Sequence, residues 1–158
     1  MRLRSLVPIA AGILCAASLH AGLRFEPASG PAGGDVASLA ADGTTLWAGT
    51  SRGVWRLASG AWSRDGLEDQ TILSVAVAGG SVWAATSGET LYRRQADGRW
   101  TAETLPVVPS GTASVASVLL ADGAALYAGG TQRLGTAGVF RWSGGTWSAL
   151  PSPGASAV

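Results

Sequence analysis

The stretch LWAGT at residues 46–50 decides the fold, because two closely similar stretches follow it in the chain. These are VWAAT at residues 82–86 and LYAGG at residues 126–130. Self-similarity at a period of roughly 40 residues is typical of a β-propeller or a related repeat array. The repeat therefore predicts an all-β fold built from similar units.

A second shared stretch follows each first one after a few residues. It reads GVWR at 53–56, TLYR at 90–93 and GVFR at 138–141. Each copy then ends with a tryptophan beside small or polar residues, at Trp62, Trp100 and Trp147. Aromatic side chains at matching positions of each copy predict packing between neighbouring units.

Each copy divides into four short runs that are separated by turn signals. In the first copy the runs are 36–40, 45–50, 53–58 and 61–64. Turn pairs such as Asp-Gly supply the positive φ angles that tight hairpins require. Four antiparallel strands joined by hairpins form one propeller blade, and about four to eight blades are usual. We therefore expect three blades of an incomplete propeller.

The LWAGT stretch followed by RGVWR at 52–56 resembles the repeat of two-component-regulator propellers. The resemblance runs from residue 36 to about residue 150. It implies a secreted or periplasmic sensory domain, of a kind that often precedes a membrane-spanning histidine kinase. A weaker resemblance, carried by SRDG at 63–66 and ADGRW at 96–100, is to the Asp-box propellers of sialidases and photosystem assembly factors.

The sequence also predicts how the chain is divided. Arg2 and Arg4, an apolar run and small residues predict a secretory signal peptide over residues 1–21. A linker is expected at 22–35, and blades are expected at 36–70, 71–110 and 111–152. Residues 153–158 are expected to begin a fourth repeat. We expect the chain to be the N-terminal fragment of a longer protein, and the alternative is that other chains supply the further blades.

Composition restricts the compartment and the partners. The signal peptide predicts export to the periplasm or the extracellular space, and lipidation of Cys15 is disfavoured because Leu14 is not small. Nine arginines and ten acidic residues remain after Arg2 and Arg4 are removed, and the chain has no lysine. This balance disfavours a nucleic-acid partner. For the mature segment no membrane partner is expected either.

Residues 22–158 contain no His, Cys or Lys, which excludes several kinds of chemistry. They cannot form a Ser-His-Asp or Cys-His site, a typical zinc site or a Schiff base. The remaining candidates for a catalytic carboxylate pair are in or near loops, where solvated acids are the more common case: Glu68, Asp69, Glu89 and Glu103. We therefore expect no catalytic residues, no metal and no cofactor. Arg56, Arg93 and Arg141 occupy one position of the repeat, so we expect them to cover aromatic rings or blade edges rather than to bind a sialidase substrate.

Candidate ligand-binding residues lie in loops that converge at one end of a propeller. Those loops follow the second strand of a blade or connect two blades, and loops of this kind often carry function. The candidates there are Arg52, Glu68, Asp69, Gln132 and Arg133. Trp142 is a further candidate, because it aligns with Leu57 and Arg94, and an exposed tryptophan can stack on a sugar ring. The more ordinary alternative is that it covers an outer blade edge.

The function predicted from these residues is a non-catalytic ligand-binding or sensory module for a carbohydrate or a peptide. One alternative is a fragment of a propeller-fold glycoside hydrolase or lyase of the sialidase kind, which requires acidic residues of several blades to converge at the axis. Another is an extracytoplasmic scaffold that assembles other proteins through its rim. The fold by itself does not choose among the three.

Overall fold

The computed structural model describes residues 29–32, 34–106, 115–131 and 137–151, and these form twelve β-strands and no helix. The strands make three four-stranded antiparallel sheets, which we call blades 1, 2 and 3. The predicted signal peptide and the predicted start of a fourth repeat lie outside the described residues. Within the described residues, no helix could span a membrane.

The strands follow one another in chain order across each blade. Blade 1 contains β1 (Val36–Asp42), β2 (Thr45–Thr50), β3 (Gly53–Ala58) and β4 (Ala61–Gly66). Blade 2 contains β5 (Ile72–Ala78), β6 (Ser81–Thr86), β7 (Leu91–Arg94) and β8 (Trp100–Glu103). Blade 3 contains β9 (Val118–Asp122), β10 (Ala125–Thr131), β11 (Ala137–Ser143) and β12 (Thr146–Ala149).

The turn residues of the sequence explain why the strands end where they do. The hairpins after β1 and β5 each place a glycine in the left-handed region, Gly43 and Gly79, both at φ 57°. A residue with a Cβ adopts this conformation at a cost, so glycine is favoured there. The predicted second and third strands of blade 1 agree with β2 and β3 to the residue.

Each blade has two faces, because successive side chains of a strand point to opposite sides of the sheet. Trp47 is paired with Arg56 on one face of blade 1, and Ala48 is paired with Trp55 on the other. We call the face toward the next blade in the chain the trailing face, and the opposite one the leading face. Trp47 lies on the trailing face of blade 1, in a buried cluster with residues of blade 2.

Two junctions between blades contain the core. Junction 1 joins blades 1 and 2 through the buried residues Trp47, Val54, Ile72, Val75, Val82 and Ala84. Junction 2 joins blades 2 and 3 through a larger buried cluster that includes Trp83, Leu91, Leu119, Leu126, Phe140 and Trp142. The core therefore lies between the sheets, as expected for packed blades.

The first strands of the three blades, β1, β5 and β9, lie side by side. The backbone N–H of Val75 donates to Ser38 Oγ at 3.0 Å, and that of Leu119 donates to Ser74 Oγ at 3.0 Å. Ser38 and Ser74 occupy the same position of their blades, each beside a β-bulge. This repeated hydrogen bond and the repeated sheets confirm the predicted all-β, propeller-like blade fold.

Candidate functional site

The predicted loops between strands lie together at one end of blades 1 and 2. Antiparallel order places the β2–β3 turn, the β6–β7 turn and the loop between the blades at the same end. One backbone hydrogen bond joins each turn to that loop. Gly53 N–H donates to Gln70 O at 2.9 Å, and Ser87 N–H donates to Thr71 O at 2.9 Å. We call this surface, residues 51–52, 67–71 and 87–90, the loop rim.

Buried threonines hold the turns of the loop rim in shape. Thr50 Oγ1 donates to Gly53 O at 2.9 Å and accepts from Arg52 N–H at 3.0 Å. Thr86, at the same position of blade 2, donates to Thr90 O at 3.1 Å. A threonine hydroxyl that satisfies turn backbone groups stabilises the turn in addition to the strand ladder.

Two residues of the loop rim have a backbone conformation that is uncommon for side chains other than glycine. Leu67 has φ 57° and Glu89 has φ 62°. Such conformations cost of order 1–3 kcal/mol each, and they persist where the surroundings determine them. At Leu67 the surroundings include the junction 1 core, against which its side chain packs.

The structure brings three of the predicted site residues to the loop rim. Arg52 lies in the β2–β3 turn, and Glu68 and Asp69 lie in the loop between the blades, with all three exposed. Their backbones are joined through the hydrogen bond between Gly53 and Gln70. Gln132 and Arg133 lie outside the described residues. Glu89, in the β6–β7 turn, is exposed at the rim as well. The rim thus presents one cation and three anions, which suits a polar ligand of mixed charge.

Trp142, the further candidate for ligand binding, is not exposed for stacking on a sugar ring. Trp142 is 7% exposed, and its ring packs edge-on against Trp83 with the centroids 5.1 Å apart. It lies on the leading face of blade 3, which blade 2 covers. The indole therefore contributes to junction 2 and is not presented to a sugar ring.

Two of the three symmetry-related arginines cover aromatic rings, as the repeat predicts. The Arg56 guanidinium lies 6.0 Å from the Trp47 ring centroid, and that of Arg93 lies 5.2 Å from the rings of both Trp83 and Trp142. Guanidinium groups at such distances are attracted to the ring face. Their role in the described blades is packing.

A second concave feature lies at the opposite end, beside the hairpins of junction 1. This hairpin cleft has a volume of about 260 Å³, and residues that line it include Asp42, Trp47, Ser81, Arg93, Arg94 and Gln95. Sequence reasoning missed it because its residues come from two blades and from three separate turns. The one available signal was arginine at position 94, where the repeat has Leu57 and Trp142.

Both arginines of the hairpin cleft are already paired within the molecule. Arg94 donates to both carboxylate oxygens of Asp65, at 2.6 and 3.0 Å. Arg93 Nε donates to Ser81 Oγ at 3.2 Å, and its Nη1 lies 4.0 Å from Glu103 Oε1. A guanidinium that is already neutralised attracts an anionic ligand weakly. The loop rim is therefore the better candidate for ligand recognition.

The arrangement of acidic side chains bears on whether the described residues could hold a metal ion. They contain no group of three or more Asp, Glu, His or Cys side chains that could hold a metal ion. Hard cations such as Ca²⁺ require six to eight oxygen ligands. The three acids of the loop rim, Glu68, Asp69 and Glu89, do not form such a group.

Comparisons with known proteins identify a similar fold. No family model matches the chain, and no curated protein sequence matches it. Among solved structures, the extracellular domain of a hybrid two-component system protein from B. thetaiotaomicron is similar, with a TM-score of 0.54 and 23% sequence identity. The similarity covers 73% of this chain and 16% of that chain. The present chain therefore spans only a small part of its neighbour's length, and at this identity the likeness shows the fold.

Proposed function

We propose that this chain is an exported, non-catalytic module that binds a small polar ligand at the loop rim. The ligand class is a carbohydrate or a peptide fragment. The observation that carries the proposal is the loop rim itself, where Arg52, Glu68 and Asp69 are exposed on a backbone held by Gly53 and Gln70. Binding sites on loops are effective when a rigid scaffold positions them.

The chemistry of the rim supports recognition rather than catalysis. Exposed side chains of both charges can form charge-assisted hydrogen bonds with hydroxyl, amide, amine or carboxylate groups of a ligand. A bound sugar or peptide offers these groups. The proposal of an exported sensory module agrees with the similar fold of an extracellular two-component-system domain.

The proposal is tested by nuclear magnetic resonance titration of the chain. The probes are short oligosaccharides from pectin and xylan, and separately a tryptic digest of casein. We expect one probe class to shift the amide signals of residues 51–53, 67–71 and 87–90. Shifts confined to the hairpin cleft, or none with any probe, would contradict a binding site at the rim.

A triple variant, Arg52→Ala, Glu68→Ala and Asp69→Ala, tests whether these side chains contribute to the affinity. One hydrogen bond to a charged group contributes about 1.5–3 kcal/mol, so we expect at least about a tenfold loss of affinity. The fold should be retained because these side chains are exposed and the backbone hydrogen bonds remain. The matched control is the double variant Asp42→Ala and Gln95→Ala in the hairpin cleft. This variant should bind the probe with the affinity of the original chain.

A further inference from the structure

The two junctions define how one blade of this chain packs on the next. Gly49 lies on the trailing face of blade 1 and faces β5, the first strand of blade 2. A Cβ at Gly49 would lie 2.6 Å from Ile72 Cγ2 and 3.1 Å from Val75 Cγ1. The small residue thus makes room for two apolar side chains of the following blade.

The trailing face of blade 3 has the same features but no blade packed on it among the described residues. Gly129 corresponds to Gly49, because Gly49 pairs with Val54 and Gly129 pairs with Val139. A Cβ at Gly129 would meet nothing within 4 Å. Around it, Val118 is 61%, Leu120 64% and Val139 42% exposed. Val54 and Leu91, which match Val139 in the other blades, are buried.

The leading face of blade 1 carries the complementary side chains. The pairing register makes Val36 equivalent to Ile72 and Leu39 equivalent to Val75. Val36 is 45% and Leu39 57% exposed, whereas Ile72 and Val75 are buried against Gly49. These two faces hold most of the large apolar side chains that are exposed on the described residues.

We propose that the trailing face of blade 3 docks the leading face of blade 1 of a second copy of this chain, head to tail. Val36 and Leu39 of that copy would pack over Gly129, as Ile72 and Val75 pack over Gly49. Two copies together contribute six blades, which lies within the usual range of about four to eight. Apolar patches of this kind on a protein surface commonly mark interaction sites.

The docked contact lacks one interaction that both internal junctions have. Val118 pairs with Gly129, and it therefore occupies the position of Ser38 and Ser74, whose hydroxyls accept a hydrogen bond from the following blade. The contact between copies would thus be apolar and formed without that hydrogen bond. We expect association that depends on protein concentration and changes little with salt.

Sedimentation velocity of the chain over a concentration series measures the association. Gly129→Arg blocks the trailing face, and Leu39→Arg blocks the leading face, so we expect either variant to weaken association by roughly a hundredfold. A Cβ at position 129 would meet nothing within 4 Å, so the variant should fold, which circular dichroism checks. The matched control is Ala61→Arg, at an exposed position of the outer strand β4.

Mixing the two blocked variants separates head-to-tail docking from a contact between two like faces. The intact leading face of the Gly129→Arg variant can meet the intact trailing face of the Leu39→Arg variant, so the mixture should form pairs that neither variant forms alone. A chain that stays monomeric throughout the series would overturn the proposal. Association that persists in either variant, or a mixture that forms no pairs, would overturn it too. None of these readouts involves the loop rim, so the outcome is independent of ligand binding.

Discussion

Junctions 1 and 2 join the same repeat with different chemistry at one position. On the leading face, Arg94 of blade 2 and Trp142 of blade 3 are equivalent, and each contacts the tryptophan of the preceding blade. Arg94 lies 5.2 Å from the Trp47 ring and forms an ion pair with Asp65. Trp142 instead packs its ring against Trp83.

The difference determines whether space is left at the hairpin end. At junction 2 the Trp142 ring lies over Gly79, where a Cβ would be 2.5 Å from the ring. At junction 1 nothing lies within 4 Å of the corresponding point above Gly43, and the hairpin cleft remains open beside it. The Trp142 indole fills the volume between its two blades. The ion pair of Arg94 and Asp65 connects its two blades but leaves part of the volume between them empty.

The largest effect is expected from the two central tryptophans. Trp83→Ala should lower the free energy of unfolding by about 3–5 kcal/mol, because it empties a fully buried site beside Trp142 and Trp147. Trp47→Ala should cost about 1 kcal/mol less. The buried Trp47 Nε1 has no hydrogen-bond partner in the described structure, whereas Trp83 Nε1 donates to Ala78 O at 3.2 Å. Urea denaturation measures both, and equal losses would contradict the comparison.

Substitutions at two equivalent glycines separate the effect of Trp142 packing on stability from the effect of turn conformation. Gly79→Ala and Gly43→Ala both place a side chain at φ 57°, which costs about 1–2 kcal/mol. Gly79→Ala must also displace the Trp142 ring, which adds about 1–3 kcal/mol. We expect urea denaturation to give a clearly larger loss for Gly79→Ala than for its control Gly43→Ala. A larger loss for Gly43→Ala would contradict the assignment of Trp142 to this site.

The ion pair of junction 1 gives a smaller expected effect. Asp65→Ala leaves the Arg94 guanidinium without its carboxylate and should cost about 1.5–3 kcal/mol. Arg94 keeps some contact with water, which holds the loss below that of a fully buried charge. Asp97→Ala, which breaks the exposed pair with Arg99, is the control and should change urea denaturation little.

A second substitution tests whether the loss comes from an unpaired charge. The double variant Asp65→Ala and Arg94→Leu places at position 94 the residue type that blade 1 has at the equivalent position, Leu57. The double variant should recover part of the lost stability, because no buried charge then lacks a partner. No recovery would indicate that Asp65 acts through its own packing rather than through Arg94.

Much of the blade could be predicted from sequence because its signals are local. The strands β2 and β3 are bounded by turn residues that lie next to them, such as Ser59-Gly60, and the repeat presents the same pattern again. The loop rim could be predicted for the same reason, since strand order alone places the β2–β3 turn beside the loop between blades.

The rest of the structure depends on contacts between blades. Alternation of side chains along a strand shows which residues share a face, but it does not specify what that face packs against. Trp142 departs from the repeat, and the sequence alone does not decide whether its side chain faces solvent or the preceding blade. The pairing of Arg94 with Asp65 joins residues 29 positions apart on different blades. Only the packing of the leading face of blade 2 on blade 1 brings them together.

The smallest expected effect concerns acid at the hairpin end of junction 1. The Arg99 backbone N–H, and then its guanidinium, donate to the Asp97 carboxylate and hold the pKa of Asp97 below its ordinary value. Ionised Asp97 therefore stabilises the fold above the unfolded-state pKa of about 3.9. This stabilisation is lost as pH falls below that value through the lower folded-state pKa. The corresponding hairpin of blade 3, residues 143–146, carries no charged side chain, so acid should affect the β7–β8 turn of blade 2 and leave that hairpin unchanged. Carbon-13 titration of the Asp97 carboxyl should give a lowered midpoint that rises in Arg99→Ala, and a midpoint at or above the ordinary value would contradict this difference.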